Sequence, residues 1–346
     1  MTDRLDQPVW PLMPPTPPME HSSGQGPSVS FVVCAYTEAR FEQALRCVRS
    51  ALDGTRPPEE VLLVVDNNPC LRDRFVKELP GEVIVIDNEG RGLSAGRNTG
   101  LRHARSEVVA FVDDDAWPER DCLEHLLRPF ANPRVIGVGG RIVPEWEQPK
   151  RGLPEELYWV VGSTYRGHRT DAGPITRPIG ANMAARREAI LSLGGFSYGF
   201  GRNGTSGSNE EIALFTAVSR TFGADSIWYV PDAVVHHFAP EARCTLRYLL
   251  KRSVVEGTTK ADVRHLHGTD SMAHDRGYVI HSLLPGIGRY LVDATLRRER
   301  RALAHAGTLV LCFAATAAAY VAQLMQQQLR KALPALSSRQ ASIVQE

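Results

Sequence analysis

Four short apolar runs near the start of the chain constrain its fold most. They occupy residues 29–36, 61–65, 83–86 and 107–112, and polar residues follow each of them. Unbroken apolar runs of this length are typical of strands that are covered on both faces. Apolar residues at a helical spacing follow the first run, from Phe41 to Leu52. This alternation predicts an α/β fold in which helices flank a mainly parallel, Rossmann-like sheet.

The fourth run ends in three consecutive aspartates, Asp113, Asp114 and Asp115. Their strand would deliver them to the sheet edge where open α/β sheets bind ligands. Adjacent carboxylates repel one another, so a fold retains them where a cation or several donors neutralise the charge. Mg²⁺ and Mn²⁺ prefer such oxygen ligands. The alternative is a solvated turn that caps the next helix, with Pro118 in the first turn of that helix.

Polar residues at the other strand ends are suited to a nucleotide. Tyr36 can lie against a base, Asp66 can accept from a pyrimidine N–H, and Arg97 can meet a phosphate or a base edge. Each also has an ordinary interpretation, as a core aromatic, a turn residue and a helix surface charge. Their shared sheet edge favours one common site. The glycine-rich loop over 90–100 is not a P-loop, and it does not follow the first strand as a dinucleotide fingerprint would.

Composition excludes several other classes of protein. The chain of 346 residues is 43% hydrophobic and 23% charged, which is ordinary for globular domains, and its net charge of +1 provides no general attraction to nucleic acid. Its six cysteines are scattered without a CxxC pattern, which favours reduced thiols over a zinc site. Residues 1–28 are rich in proline and poor in apolar residues, so they are expected to form a disordered tail and not a signal peptide.

Seven segments follow one another along the chain: CAYTE (34–38), VVDNNP (64–69), GLSAGRNTG (92–100), FVDDDAWP (111–118), PIGANM (178–183), LGGF (193–196) and NEE (209–211). In this order they resemble the family 2 glycosyltransferases. The resemblance implies the GT-A fold over residues 29–265 and a helical C-terminal extension over 266–346. It also implies inverting, hexosyltransferase-like transfer from a nucleotide sugar, with UDP favoured by Asp66 and GDP or TDP left open.

Residue roles follow from this resemblance, position by position. The aspartate cluster stands in place of the DxD motif, so Asp113 and Asp115 are expected to hold Mg²⁺ or Mn²⁺ with His237, and His236 is the reserve. Glu211 is the expected general base and Glu210 its alternative, although the family usually has Glu-Asp here and acids at a helix start also have a purely structural interpretation. The residues expected to contact the nucleotide sugar are Cys34, Tyr36, Glu38, Asp66, Arg97, Asp113, Asp114 and Asn182.

The C-terminal extension and the acceptor complete the expectation. The resemblance implies a glycan or lipid-linked acceptor, a role in cell-envelope polysaccharide synthesis, and a cytoplasmic location at the inner face of the membrane. Residues 244–261 predict a basic amphipathic helix that can meet diphosphate or a membrane surface. Residues 306–322 carry no charge and follow a cluster of arginines over 297–301. They predict a helix in or on the membrane, with a soluble docking helix and a true span as alternatives.

Two rival functions remain at this point. A nucleotidyltransferase would share the sheet and an acidic metal site, but it would carry a glycine-rich first loop with Arg or Lys, which CAYTE lacks. A membrane-associated binding protein could keep the fold without activity. Intact acids at Asp113, Asp115 and Glu211 argue against the second rival.

Overall fold

The computed structural model describes residues 26–148, 153–198, 210–267 and 273–343. Residues 1–25 of the predicted tail therefore lie outside the described residues. Asn209 of the NEE segment also lies outside them. Two compact units divide the chain, one ending at Cys244 and the other beginning at Thr245.

The first unit contains a mixed, mainly parallel sheet with helices on both faces. Its strands are β1 (Val29–Ala35), β2 (Glu60–Val65), β3 (Val83–Asp87), β4 (Val108–Asp113), β5 (Ala116–Pro118), β6 (Gly137–Trp146), β7 (Gly173–Pro174), β8 (Asn182–Arg186) and β9 (Ile227–Ala239). Its helices are α1 (Phe41–Leu52), α2 (Pro69–Glu78), α3 (Leu93–His103), α4 (Cys122–Leu127), α5 (Arg187–Ser192) and α6 (Glu210–Phe222).

The strand order within the described residues is β3-β2-β1-β4-β8-β6-β9-β5, and β7 pairs with β9. The pairs β1–β2, β2–β3 and β1–β4 are all parallel. β8 runs antiparallel to β4 and β6, whereas β6 and β9 are parallel. The predicted mainly parallel α/β sheet is therefore confirmed, and an antiparallel strand extends it.

Successive side chains of each central strand enter two different cores. In β1, Phe31 packs into the core on one face of the sheet and Val32 into the core on the other. In β4, Ala110 and Phe111 divide in the same way. Because both faces are covered, most positions of these strands are apolar whichever face they point to, and this explains the apolar runs.

Helix α3 packs directly on β1 through Gly100. A Cβ atom at this position would lie 2.4 Å from Cγ1 of Val32, so only glycine permits this approach. The contact fixes the helix that carries Arg97 beside the ends of β1 and β4.

The second unit is helical. The helix predicted over 244–261 is present and runs further, as α7 (Leu246–His267), but its basic and apolar residues are not segregated onto two faces. It packs against the long final helix, and both belong to the second compact unit, which begins at Thr245. The remaining helices are α8 (Ala273–Tyr278), α9 (Leu284–Leu296) and α10 (Arg300–Ile343).

Candidate active site

The carboxyl ends of β1 and β4 bring two predicted site residues side by side. Cys34 pairs in register with Asp113, the last residue of β4. Asp113 is partly exposed, whereas Asp114 and Asp115 are buried at 3% and 2% exposure. Asp113 therefore lies nearer the surface of the site than the two buried aspartates that follow it.

Asp113, Asp115 and His237 come together as a group that can hold a metal ion. One ligand atom from each lies within 4.8 Å of the others. His237 reaches the aspartates because β5 and β9 pair antiparallel, with Ala116 opposite His237. The two buried side chains are in contact, with Nε2 of His237 lying 3.0 Å from Oδ1 of Asp115.

The orientation of His237 suits metal binding. Its Nδ1 lies 3.3 Å from the carbonyl oxygen of Gly162, which can only accept, so Nδ1 carries a proton. Nε2 faces the Asp115 carboxylate and is the nitrogen that would bind a metal once it is deprotonated. Gly162 adopts a left-handed conformation at φ 75°, and a Cβ atom there would lie 2.8 Å from Cε1 of the imidazole. Two carboxylates and an imidazole are a set of donor atoms that fits Mg²⁺ or Mn²⁺.

His236, the reserve ligand, lies on the other side of β9. Its Nε2 is 2.8 Å from a carboxylate oxygen of Glu119. Adjacent residues of a strand point to opposite faces, so only one of the two histidines can face Asp115. The structure therefore brings His237 to the metal-competent group and places His236 away from it.

Two arginines that the sequence analysis did not identify neutralise the buried aspartates. Nη1 of Arg40 lies 2.6 Å from Oδ1 of Asp114, and its Nη2 lies 2.9 Å from Oδ2 of Asp115. Arg243 adds a longer contact of 3.5 Å to Asp115. Three adjacent aspartates indicate that positive charge must lie nearby. This signal favoured a metal ion and could not specify which arginines of the chain contribute.

These charges separate the pKa values of the aspartates and of His237. Burial raises the pKa of Asp114 to about 7, although Arg40 stabilises its carboxylate. Burial alone would also raise the pKa of Asp115, but His237 and Arg40 hold that pKa below its ordinary value. Burial alone would lower the pKa of His237, and the Asp115 carboxylate outweighs this effect and raises it. Asp115 is therefore a carboxylate at neutral pH, as a metal ligand must be.

Arg97 is buried and connects two acidic parts of the site. Its Nη1 donates to Oε1 of Glu210 at 2.5 Å, and its Nη2 donates to Oδ1 of Asp113 at 2.9 Å and to the carbonyl oxygen of Gly180 at 3.0 Å. The side chain predicted to meet a phosphate or a base thus binds two carboxylates, and only 2% of the residue is exposed.

The two acids at the start of α6 differ in their surroundings. Glu210 is 1% exposed and ion-paired with Arg97. Glu211 is half-buried. Burial raises the pKa of Glu211 to about 7, and the Glu210 carboxylate adds to the rise while Arg97 opposes it. A carboxyl group with this pKa can exchange a proton near neutral pH, whereas Glu210 is held as the counter-charge of Arg97.

The other predicted donor contacts are distributed along the same edge. Asp66 holds the glycine-rich loop, because its Oδ2 accepts from the backbone N–H of Gly92 at 2.9 Å and its Oδ1 accepts from Nδ2 of Asn88 at 2.8 Å. Tyr36 is 50% exposed and open to a planar ligand. Glu38 pairs with Arg74 at 3.1 Å.

Asn182 lies beneath the surface of the site with 0% exposure. Its Nδ2 donates to the carbonyl oxygens of Ala233 at 2.9 Å and Arg141 at 3.2 Å, where the register of β6 and β9 shifts after Gly140. A direct contact with a ligand would require this side chain to leave two buried acceptors.

Comparisons with known proteins place this geometry in context. The model of the family described as Glycosyl transferase family 2 matches residues 30–194. A glucosyl-dolichyl phosphate glucuronosyltransferase of Haloferax volcanii is 33% identical over 239 residues, which are 67% of this chain and 76% of that protein. A pre-mycofactocin glycosyltransferase of Mycobacterium tuberculosis is 30% identical over 308 residues, 83% of this chain and 61% of that protein.

Among solved structures, a mannosyltransferase of Pyrobaculum calidifontis in complex with GDP-Man and Mn²⁺ superimposes with a TM-score of 0.56. The match covers 92% of this chain and 91% of the other, at 20% identity. At this identity the likeness shows a shared fold.

Proposed function

This chain belongs to glycosyl transferase family 2 and is a transferase with the GT-A fold, and from that premise we propose that it moves a sugar, with inversion, from a nucleotide-sugar donor to an acceptor hydroxyl. The observation that carries the proposal is the contrast between Glu210 and Glu211. The first is fixed by Arg97, and the second is half-buried with a pKa near the working pH.

In the proposed reaction, Glu211 accepts the proton of the acceptor hydroxyl. The acceptor oxygen forms a bond to the anomeric carbon from the side opposite the nucleotide. The bond from that carbon to the diphosphate oxygen breaks, and its electron pair leaves with the nucleoside diphosphate. A base whose pKa lies near the operating pH combines the correct protonation state with adequate driving force.

Asp113, Asp115 and His237 are the proposed ligands of a divalent metal, Mg²⁺ or Mn²⁺. Support comes from their donor atoms, from the hydrogen bond that orients His237, and from the Mn²⁺ of the Pyrobaculum mannosyltransferase. When bound, such a metal neutralises negative charge on the departing diphosphate. Arg40 and Arg243 keep Asp115 ionised beside it.

The donor is proposed to be a UDP-sugar, with Tyr36 and Asp66 at its base and Cys34, Glu38 and Asp113 along the same edge. Support comes from the exposed ring of Tyr36 and from the carboxylate of Asp66 at the end of β2. Three further predicted contacts, Arg97, Asp114 and Asn182, are buried and are proposed to act by supporting the surface on which the donor lies.

The acceptor is proposed to be a glycan or lipid-linked hydroxyl, reached from the cytoplasmic face of a membrane and used in cell-envelope polysaccharide synthesis. The name of the Haloferax relative, which acts on glucosyl-dolichyl phosphate, supports a lipid-linked acceptor. One helix, Arg300–Leu329, is long and apolar enough to cross a membrane by length and composition alone.

A donor screen tests the proposal directly. The protein is incubated with UDP-, GDP- and TDP-sugars, with and without Mn²⁺, while thermal stability and nucleoside diphosphate release are measured. We expect a UDP-sugar at 100 times its Kd to stabilise the protein by about 2.7 kcal/mol only when metal is present. Asp115→Asn should show no stabilisation by the donor even when Mn²⁺ is present, whereas the control Asp225→Asn, at an exposed position, should be stabilised as the unmodified chain is.

If no nucleotide sugar binds or turns over at saturating Mn²⁺, the proposed function is wrong. Release of pyrophosphate from a nucleoside triphosphate would instead identify a nucleotidyltransferase.

A further inference from the structure

Helix α10 presents a long apolar face to solvent. Every exposed residue from 303 to 325 is apolar, and these positions extend over about 33 Å of helix. Soluble monomers rarely expose an apolar surface of this extent unless it is an interaction site. The large side chains of this face, 44% to 61% exposed, are Leu303, Val310, Leu311, Phe313, Val321 and Met325.

The opposite flank of α10 packs on α7 through a close backbone approach and polar contacts. A Cβ atom at Gly257 would lie 2.2 Å from the carbonyl oxygen of Thr316, so the two helices touch at this point. Oδ1 of Asp262 accepts from Nε2 of Gln323 at 2.8 Å and from Nε2 of Gln327 at 2.7 Å. Between residues 303 and 325, the flank of α10 that carries Thr316 and Gln323 is therefore occupied by its own helical unit, and the apolar flank is open.

These contacts argue against a transmembrane orientation of α10. Arg264 donates to the hydroxyl oxygen of Tyr320 at 2.5 Å, and Glu256 pairs with Lys260 at 3.2 Å on the segment of α7 that accompanies α10. If α10 crossed a bilayer, α7 would carry these charged side chains into the hydrocarbon region, where they are costly. A helix that lies along the interface keeps them on the aqueous side.

A cluster of arginines adjoins the apolar face where α9 is followed by α10. Residues 297–301 contain four arginines and one glutamate, and all five are exposed. Arg297 pairs with Asp293 at 3.3 Å. In the part of the chain that the structure describes, Arg298, Arg300 and Arg301 have no acidic partner. Exposed guanidinium groups beside an apolar face complement anionic lipid headgroups, whereas self-association through that face would not use them.

We propose that α10 lies in the plane of an anionic membrane surface, with its 303–325 face among the acyl chains and the arginines of 297–301 on the lipid phosphates. This deepens the membrane location in the proposed function by assigning the face and its orientation. The membrane proposal is tested by vesicle binding without any nucleotide sugar, so a failure to bind vesicles would not bear on the proposed chemistry. An absence of turnover, in turn, would not bear on the membrane proposal.

Depth-dependent quenching distinguishes the orientations. An environment-sensitive fluorophore is attached to single cysteines at Leu303, Leu311, Ala318 and Met325, in a background with Cys34→Ser, Cys70→Ser and Cys244→Ser. The vesicles contain phosphatidylcholine and phosphatidylglycerol, with quenchers at shallow or deep acyl positions. We expect all four sites to be quenched at one shared shallow depth, and a label at the exposed Val76 of α2 to remain unquenched.

A span would instead give deep quenching at Leu311 and Ala318 and shallow quenching at Leu303 and Met325, and this pattern would overturn the proposal. Labels that are never quenched by lipid but respond to protein concentration would identify a surface for a second copy of the chain, with the same consequence.

The arginines are tested separately by charge. Arg300→Gln with Arg301→Gln should weaken binding to anionic vesicles about tenfold or more and leave turnover of a water-soluble acceptor unchanged. The matched control removes the same charge from two exposed arginines of the first unit, Arg120→Gln with Arg134→Gln, and should bind as the unmodified chain does. An equal loss in both double variants, or a loss in neither, would contradict the proposed headgroup contact.

Discussion

Arg97 Nη1 lies 2.5 Å from Glu210 Oε1, and both side chains are almost completely buried. Because breaking a buried ion pair is strongly destabilising, Glu210 is held in place as the partner of Arg97 and has a structural role. Glu211, the next residue, remains half-buried with its pKa raised to about 7.

The first prediction distinguishes the two glutamates. Glu211→Gln keeps the size of the side chain but cannot accept a proton, so kcat should fall by at least about 10²-fold while donor affinity changes little. Glu210→Gln removes the closest counter-charge of Arg97, which keeps Asp113 as a partner, and should lower the free energy of unfolding by about 1–3 kcal/mol. Steady-state kinetics, donor titration and denaturant unfolding measure these effects, with the exposed Glu82→Gln as control. Loss of turnover in a stable Glu210→Gln, with Glu211→Gln active, would reverse the roles.

The second prediction concerns pH. Because the raised pKa of Glu211 is about 7, its basic form increases as pH rises through 7, and kcat/KM should rise with it. The effect on stability has the opposite sign. The folded state retains a proton on Glu211 that the unfolded state has already released above the ordinary glutamate pKa of 4.5, so this group makes folding less favourable as pH rises from about 4.5 to 7. A pH profile of kcat/KM without an acidic limb near 7 would contradict the assignment.

The third prediction uses a pair of glycines. Gly162→Ala strains a left-handed residue and also places a methyl group 2.8 Å from Cε1 of His237. Gly194→Ala strains a residue at φ 84° with no atom within 4 Å of the added methyl. Both should cost about 1 kcal/mol of stability through the backbone, but only Gly162→Ala should weaken Mn²⁺ binding, by about tenfold or more. Calorimetric titration with Mn²⁺ alone measures this, and equal affinities in the two variants would show that Gly162 does not position His237.

The fourth prediction tests whether Asn182 touches the donor. Asn182→Ala leaves the carbonyl oxygens of Ala233 and Arg141 without their side-chain donor and should cost about 1–3 kcal/mol of stability. If the residue acts only from beneath the site, the Kd of the donor should change less than about threefold at a temperature where the variant is folded. A larger loss of donor affinity in a folded variant would instead support the direct contact implied by the family resemblance.

Much of the architecture could be predicted because local sequence patterns reflect burial directly. The strands β1, β2 and β4 are mostly apolar because both sheet faces are covered, so their existence and direction could be predicted from residue order. The same reasoning placed Tyr36, Asp66 and Asp113 at one sheet edge. The extent of α7 and its packing partner were less accessible, because contacts with α10 decide them and no local period encodes those contacts.

Residue order alone was enough to predict the fold class, the family and the set of acids from which a metal site and a base can be drawn. Which members of that set lie together depends on the folded chain. Strand pairing turned His237 toward Asp115 and His236 toward Glu119, and Arg40 and Arg243 arrived from distant segments to hold Asp114 and Asp115. The physical reason is that burial and charge compensation depend on neighbours in space, and these neighbours are up to 128 residues apart along the chain.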